Sequence, residues 1–285
     1  MEDVEGLTCL REFTILRPYL MSLERGREME KSLMPEFDLS GKVAIVTGAG
    51  RGIGYHIALA LAKYGADLVL CSRTLSELEA AGKEAEKFGR KVLIRQMDVT
   101  KTPETYAMVE EAVKAFGHID ILINNAGINI VQRTVDVTEE AWDKIMNTNL
   151  KGLFFCAQAV GKVMIQQKKG KIINLSSQLG SVGIPQRAVY CTSKGGVNML
   201  TKTLAIEWAQ FNINVNAIAP CMLETPLTRH VLEKKENREF FLSKIPLGRI
   251  EGAESVVGAA IYLSSESSNL VTGHVLLIDG GWTAQ

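Results

Sequence analysis

The chain has 285 residues, of which 46% are hydrophobic and 22% are charged, values that are ordinary for a globular protein of one large domain. Basic and acidic side chains number 32 each, so the net charge of +0 gives no electrostatic reason to expect nucleic-acid or anionic-membrane binding. No apolar run approaches the ~20 residues that cross a bilayer, and the scattered cysteines and histidines predict a cytoplasmic protein without a metal site.

Residues 1–36 differ in character from the rest of the chain. They lack the basic start and the unbroken apolar stretch of a secretory signal. Their eight acidic residues outnumber five basic ones, which disfavours a mitochondrial presequence. We expect residues 1–36 to be a flexible extension and residues 37–285 to form one domain.

From residue 42 onward, short β-rich runs alternate with helical patterns. The predicted strands are residues 43–46, 67–71, 92–94, 119–123, 171–176, 213–218 and 275–278. The predicted helices are residues 56–64, 76–88, 103–116, 139–167 and 189–210. This alternation predicts an α/β fold with a single Rossmann-like, doubly wound parallel β-sheet and helices on both faces.

A glycine-rich turn, TGAGRGIG, follows the first predicted strand. Its glycines permit a tight strand-to-helix turn and a close approach of the backbone to a pyrophosphate. The following helix would offer its N-terminal N–H groups to the phosphates. The turn therefore predicts a dinucleotide site, formed by Gly48, Arg51, Gly52, Ile53 and Gly54.

The end of the second predicted strand indicates which dinucleotide is bound. Proteins that prefer NAD usually carry an acidic residue there, which binds the ribose hydroxyls. Here Ser72 and Arg73 follow Cys71, and Arg73 can bind a 2′-phosphate by charge-assisted hydrogen bonds. Arg51 can add a second positive charge. These residues favour NADP(H) over NAD(H).

Further motifs complete a resemblance to the short-chain dehydrogenase/reductase family, which extends from about Phe37 to the C-terminus. The matching motifs are Thr47-Gly48-x-x-x-Gly52-Ile53-Gly54, Asn124-Asn125-Ala126-Gly127, Asn149, Ser177 and Tyr190-x-x-x-Lys194. The resemblance implies an oxidoreductase that moves a hydride between nicotinamide and a carbonyl or secondary alcohol carbon.

The residue chemistry is consistent with that reaction. Tyr190 and Lys194 are four residues apart on a helical pattern and so share one face. A free tyrosine has a pKa near ~10, and the Lys194 ammonium together with an oxidised nicotinamide ring would lower it. Tyr190 would then serve as acid/base, and the Ser177 hydroxyl would hold the substrate oxygen.

The resemblance also implies roles that the residues alone do not. Asn149 would hold a water that relays protons from Lys194, and Lys194 would bind the nicotinamide ribose. The remaining cofactor contacts would be Asp98 and Val99 at the adenine, Asn125, Ala126 and Gly127 beside the adenine ribose, and Pro220, Leu223 and Thr225 at the nicotinamide. Asn124 and Ser176 are expected to be structural.

Cys221 departs from the family pattern, which has glycine after the proline. A side chain disfavours a positive φ, so the backbone there could differ from that of the family. A reactive thiol is conceivable, although a tolerated substitution is the favoured interpretation.

The substrate remains open among three classes. The spacing and the ending Asp279-Gly280-Gly281-Trp282 resemble both 3-oxoacyl-acyl-carrier-protein reductases, which are favoured, and gluconate-type sugar-acid dehydrogenases. A broad carbonyl reductase is the third. Residues 222–250 should cover the substrate, and their basic residues are expected to lie on a solvated helix face. A non-catalytic nucleotide-binding scaffold is the alternative from another class, although the Ser, Tyr and Lys are all present.

The partners expected are a small carbonyl or alcohol compound and further copies of the same chain. Predicted helices 139–167 and 189–210 carry more apolar surface than one sheet face can cover. The family resemblance implies that such helices pair between subunits, so a homotetramer is expected.

Overall fold

The computed structural model describes residues 37–285, and the predicted extension at residues 1–36 lies outside this part of the chain. The strands are β1 (Val43–Thr47), β2 (Asp67–Ser72), β3 (Val92–Gln96), β4 (Ile121–Asn124), β5 (Gly170–Leu175), β6 (Ile213–Pro220) and β7 (Val275–Ile278). They form one parallel sheet in the order β3-β2-β1-β4-β5-β6-β7. The predicted fold class is confirmed.

Helices connect the strands. They are α1 (Gly52–Lys63), α2 (Leu75–Glu86), α3 (Thr102–Phe116), α4 (Glu139–Met146), α5 (Leu153–Gln167), α6 (Ala188–Trp208), α7 (Arg229–Leu232), α8 (Lys235–Lys244) and α9 (Val257–Ser264). No helix within residues 37–285 is both long enough and apolar enough to cross a membrane.

The side chains of β1 show why both faces of the sheet are covered. Ala44 and Val46 pack into one core with α1, α2 and α9, whereas Val43 and Ile45 pack into the other with α3, α5 and α6. Successive strand residues point to opposite faces, so a strand that is apolar throughout needs helices on each side.

The sheet changes direction between β1 and β4, and this is where a ligand is expected. The chain builds outward from β1 to β3 and then returns to place β4 on the other side of β1. The loops that follow β1 and β4 therefore separate, which leaves a crevice at the carboxyl ends of the strands.

Two predicted helices differ from those observed. The first helix begins at Gly52 rather than at residue 56, because the glycine turn enters it directly. The predicted helix 139–167 is interrupted by a π-helical stretch, Asn147–Gly152, between α4 and α5. Gly152 packs here against the backbone of Val99, where a Cβ would lie 2.7 Å from the Val99 carbonyl oxygen. The pattern of apolar residues along the chain gives no sign of such a close contact between two distant residues.

Candidate active site

The glycine turn is held by the loop that follows β4. The Thr47 side-chain oxygen accepts hydrogen bonds from the backbone N–H groups of Asn125 at 3.0 Å and Ala126 at 3.1 Å. The Asn125 amide donates back to the carbonyl oxygens of Thr47 at 3.0 Å and Gly48 at 3.1 Å. Gly48 has a φ of 66°, and a Cβ on Gly54 would clash with the Gly48 carbonyl. The side chain of Asn125 thus fixes the turn, in addition to any contact with a cofactor.

One cavity of about 350 Å³ runs from this turn along the carboxyl edge of the sheet to helices α7 and α8. Most of the predicted site residues line it. They are Gly48, Arg51, Gly52, Ile53, Ser72, Arg73, Asp98, Val99, Asn125, Ala126, Gly127, Ser177, Tyr190, Lys194, Pro220, Leu223 and Thr225. Gly54 and Asn149 do not line the cavity. Each instead contacts the backbone of a residue that does, Gly54 at Gly48 and Asn149 at Ile128.

Tyr190 and Lys194 lie together near the start of α6. The Lys194 ammonium is 5.8 Å from the centre of the Tyr190 ring and donates a 2.5 Å hydrogen bond to the carbonyl of Leu175 at the end of β5. Burial lowers the pKa of Lys194 to about 8. Burial also raises the pKa of Tyr190 to about 12, partly offset by a hydrogen bond with Ser177.

This value differs from the expected lowering of the Tyr190 pKa by Lys194. Burial is the largest cause of the raised pKa of Tyr190, Ser177 and Arg187 lower that pKa, and Lys194 is not among the groups that shift it. Tyr190 is therefore a protonated phenol at neutral pH, as a group that donates a proton must be.

Ser177 is positioned at the end of β5 by its neighbours. Its hydroxyl donates to the Gln178 side-chain oxygen at 2.7 Å and accepts from the backbone N–H of Leu179 at 3.1 Å. Ser176 instead donates to the Asn198 side chain at 2.5 Å and lies 3.3 Å from the backbone carbonyl of Lys194, so its hydroxyl ties β5 to α6. Gln178 lines the same cavity and was not singled out from the sequence.

Asn149, in the π-helical stretch, anchors the loop after β4. Its side-chain oxygen accepts from the N–H of Ile128 at 2.8 Å, and its nitrogen donates to the Ile128 carbonyl at 2.9 Å. The nitrogen also lies 3.2 Å from the Ser193 hydroxyl. A Cβ on Gly127 would lie 3.4 Å from the Asn149 oxygen and 3.8 Å from the Lys194 ammonium, so both groups flank this glycine. Proteins often place π-helical turns at functional sites.

Acidic and basic side chains meet beside the glycine turn. Arg51 lies 3.2 Å from the carboxylate of Glu77, which is in the first turn of α2 and lines the cavity. Arg73 is exposed, and within residues 37–285 no carboxylate lies within ion-pair distance of it. Sequence reasoning overlooked Glu77 because it sought an acid only at the end of β2.

The remaining adenine-side residue, Asp98, follows β3. Its carboxylate accepts hydrogen bonds from the backbone and hydroxyl of Thr100 at 3.0 and 2.9 Å. The carboxylate therefore shapes its own loop, and Val99 contributes a buried wall.

Cys221 does not distort the loop after β6. Among the described residues, positive φ values at non-glycine positions occur only at Lys168, Gln186 and Asn212, so the backbone at Cys221 accommodates a side chain. Burial raises the pKa of the Cys221 thiol to about 11, so it is not a thiolate at neutral pH. The favoured interpretation of a tolerated substitution is consistent with both observations.

A buried hydroxyl pair organises the next turn of this loop. Thr225 and Thr228 place their hydroxyl oxygens 3.0 Å apart, and Thr228 donates to the Leu223 carbonyl at 2.5 Å.

Across the part of the chain that the structure describes, no three His, Cys, Asp or Glu side chains come together in a way that could hold a metal ion.

Comparison with known proteins identifies the family. A family profile described as enoyl-(acyl carrier protein) reductase matches residues 48–283. The 3-oxoacyl-[acyl-carrier-protein] reductase FabG of Thermotoga maritima is 43% identical over 85% of this chain and 98% of its own. The NAD-dependent glycerol dehydrogenase of Listeria innocua is 38% identical over 89% of this chain and 98% of its own.

A solved structure agrees with these matches. The gluconate 5-dehydrogenase of Burkholderia cenocepacia, crystallised in complex with NADP and tartrate, is 35% identical and superimposes with a TM-score of 0.84. The match covers 87% of this chain and 98% of that one. The resemblance found in the motifs is therefore confirmed, and the chain belongs to the short-chain dehydrogenase/reductase family of oxidoreductases, which act on alcohol and ketone groups.

Proposed function

We propose that the chain transfers a hydride between NADP(H) and a ketone or secondary alcohol, with Tyr190 as the acid/base. The observation that carries this proposal is that Ser177, Tyr190 and Lys194 line the same cavity as the glycine turn. A dinucleotide on the turn and a substrate at Tyr190 would therefore share one continuous space.

Each residue has a distinct part in the reaction. Bound nicotinamide supplies or accepts the hydride. Tyr190, whose pKa of about 12 keeps it protonated, donates its phenolic proton to the oxygen of a ketone as that oxygen becomes negative. Ser177 donates a hydrogen bond to the same oxygen after rotating away from Gln178. Lys194, held by the Leu175 carbonyl, would bind the nicotinamide ribose and support Tyr190.

The charges beside the glycine turn support NADP(H). The exposed guanidinium of Arg73 is free to bind a 2′-phosphate. Ser72 occupies the end of β2, the position at which an acidic residue would repel that phosphate. The relative from Burkholderia cenocepacia binds NADP, whereas the one from Listeria innocua is named for NAD, so family membership alone does not decide the cofactor. The preference is argued from these two residues.

Relatives of this chain are named for two of the substrate classes that the sequence left open. The Thermotoga maritima relative is named for 3-oxoacyl reduction and the Burkholderia cenocepacia relative for gluconate oxidation. Both reactions interconvert a ketone and a secondary alcohol, which is the chemistry that Tyr190 would serve.

Self-association is part of the same proposal. The outer side of α6 exposes Met199, which is 62% accessible, and Ile206, which is 80% accessible. Phe154 of the neighbouring α5 is 36% accessible, and it lines a shallow depression with Leu204 and Trp208. We propose that these helices pair between subunits of a homotetramer.

The experiment that tests the function is a substrate panel assayed with NADPH and NADH side by side, followed by nucleotide absorbance. We expect turnover of at least one ketone, with NADPH preferred. NADPH binding without turnover of any carbonyl or alcohol in the panel would instead support a non-catalytic scaffold.

A further inference from the structure

Arg187 is a basic residue at the reacting end of the cavity, and its charge acts on nearby Tyr190 although its hydrogen bond goes elsewhere. It is the residue that immediately precedes α6, three positions before Tyr190, and its partly buried side chain lines the cavity. Its guanidinium donates one 3.2 Å hydrogen bond, to the carbonyl of its neighbour Gln186. Within residues 37–285 no carboxylate lies within ion-pair distance of it. Its partial burial lowers the pKa of Arg187 below its usual value.

The cavity wall supplies no carboxylate within ion-pair distance of Arg187. The carboxylates that line the cavity belong to Glu77 and Asp98. Glu77 is paired with Arg51 at the glycine turn. Asp98 follows β3, which lies four strand spacings, roughly 19 Å, from β5 and Ser177. The carboxylates that line the cavity are therefore not placed to pair with Arg187.

Residues 222–250, the segment expected to cover the substrate and here called the lid, do not provide the positive charge that Arg187 brings to the cavity. Its basic residues Arg229, Lys234, Lys235, Arg238 and Lys244 do not line the cavity, and only His230 of the lid adds a basic group to the wall. Arg238 and Lys235 are paired with acidic neighbours on the surface. Arg187 thus stands apart from the solvated face that the sequence predicted for residues 222–250.

A buried polar atom without a partner belongs to another residue that lines the same cavity. The side-chain oxygen of Asn129, in the loop after β4, is buried and has no hydrogen-bond partner. Of the buried side-chain atoms without partners in the described part of the chain, this one alone belongs to a residue that lines the cavity. A buried acceptor without a donor destabilises the folded chain. A rotation of the Asn129 amide toward the cavity would let a ligand hydroxyl supply the missing donor.

We propose that Arg187 and Asn129 form a binding site for a small hydroxy acid, Arg187 holding its carboxylate and Asn129 accepting a hydrogen bond from a hydroxyl. This inference rests on the proposed ketone and alcohol chemistry and names its substrate class. It disfavours a 3-oxoacyl thioester, because that substrate carries no charge near its ketone and no hydroxyl for Asn129. The choice between the two substrate classes then depends on two residues outside the family motifs.

The test compares acids with their neutral counterparts. The substrates are 5-keto-D-gluconate, its amide, the unhydroxylated acid 5-oxohexanoate, and the thioester 3-oxobutanoyl-N-acetylcysteamine. The variants are Arg187→Gln, Arg187→Lys and Asn129→Leu, and Arg229→Gln serves as a control that removes an exposed charge from the lid. NADPH binding is measured for each, to show that the fold and the cofactor site are intact.

We expect wild type to use the acid at least tenfold better than the amide, measured as kcat/KM. Arg187→Gln should lower the value for the acid by about tenfold to a hundredfold, as expected when a charge-assisted contact is lost. It should leave the value for the amide within threefold. Arg187→Lys should be intermediate, and Arg229→Gln should match wild type. Asn129→Leu should reduce the preference for the hydroxylated acid over 5-oxohexanoate.

Equal use of acid and amide by wild type, or equal losses for both in Arg187→Gln, would overturn the inference without touching the proposed function. If no carbonyl compound is reduced at all, the proposed function fails. In that case calorimetric binding of gluconate and gluconamide to the NADP-loaded protein decides the inference. A gluconate affinity that Arg187→Gln leaves unchanged, or that is too weak to detect in wild type, overturns it.

Discussion

The ammonium of Lys194 donates a 2.5 Å hydrogen bond to the carbonyl of Leu175, and this contact places a buried cation beside the end of β5. The cost of burial appears in the pKa of Lys194, which falls from 10.5 to about 8. Burying a charged side chain at a functional site lowers the stability of the folded chain, and proteins often accept this loss for the sake of activity.

Replacing Lys194 by methionine should therefore change how stability depends on pH. Between pH 8 and 10.5 the unfolded chain keeps a proton on Lys194 that the folded chain has lost, so wild-type stability rises with pH in that window. The variant lacks this rise. We expect its stability relative to wild type to fall by up to about 3 kcal/mol from pH 7 to pH 10.

Urea unfolding of both proteins without cofactor, at several pH values between 7 and 10, measures this difference. Lys171, whose pKa burial also lowers to about 8, is present in both proteins and cancels. A stability difference that is independent of pH would mean that Lys194 titrates normally in the folded chain.

Tyr190→Phe should abolish turnover while leaving NADPH binding nearly unchanged. The ring and its packing survive, but the phenolic proton is gone. The matched control is Tyr106→Phe, because the Tyr106 hydroxyl bonds Gln158 at 2.7 Å and does not line the cavity. Should Tyr190→Phe retain more than about a tenth of the wild-type rate, a loss under ~1.4 kcal/mol, another group must donate the proton.

The apolar outer side of α6 gives a prediction about assembly. Ile206→Asp places a charge on the surface proposed to pair between subunits, and it should convert a tetramer into smaller species. Val135→Asp is the control, because Val135 is 85% accessible but precedes α4. Light scattering measures both variants. A wild-type monomer at micromolar concentration would refute the proposed assembly.

The sheet was predictable because its information is local. Each strand is a short apolar run, and each helix carries a periodic apolar face, so the order of elements follows from the sequence. The π-helical stretch at Asn147–Gly152 was not predicted, and the apolar pattern carries no sign of the close approach of Gly152 to the backbone of Val99, which is distant in sequence. The spacing of apolar residues shows which face of a helix packs on the core. It does not show which single residue must be small to let another part of the backbone approach.

The site divides in the same way. Tyr190 and Lys194 could be selected because their helical spacing places them on one face. Ser177 could be selected because its distance from Tyr190 resembles that in the family. Arg187 and Asn129 could not be selected, because only the folded chain shows that Arg187 has no ion-pair partner and that the Asn129 oxygen has no hydrogen-bond donor.

Glu77 gives a prediction that the sequence did not suggest. Its carboxylate, 3.2 Å from Arg51, neutralises a charge that could otherwise meet a 2′-phosphate. Glu77→Gln should release Arg51 and raise the preference for NADPH over NADH by several-fold. Glu79→Gln, on the exposed side of α2, is the matched control. The measurement is kcat/KM with both cofactors, and an unchanged ratio would mean that Arg51 never contacts the phosphate.

Arg73 should be the principal reader of the 2′-phosphate, since Arg51 is already paired and Arg73 is not. The guanidinium of Arg73 offers a planar set of donors, and its backbone carbonyl is held by Gln96 at 2.8 Å, which fixes the turn after β2. Loss of such a charge-assisted contact costs roughly 1.5–3 kcal/mol, or on the order of ten- to a hundredfold in affinity. Arg73→Ala should therefore weaken NADPH far more than NADH.

Ser72→Asp should go further and shift the preference toward NADH. The new carboxylate would repel the phosphate dianion and would accept hydrogen bonds from the free ribose hydroxyls. In the present chain the Ser72 hydroxyl lies 3.3 Å from both the N–H and the carbonyl of Thr74, so the position already faces the turn that Arg73 occupies. The values of kcat/KM with each cofactor are compared for wild type, Arg73→Ala and Ser72→Asp. If wild type already prefers NADH, or if Arg73→Ala weakens both cofactors equally, Arg73 is only a surface residue and the chain is not specific for NADP(H).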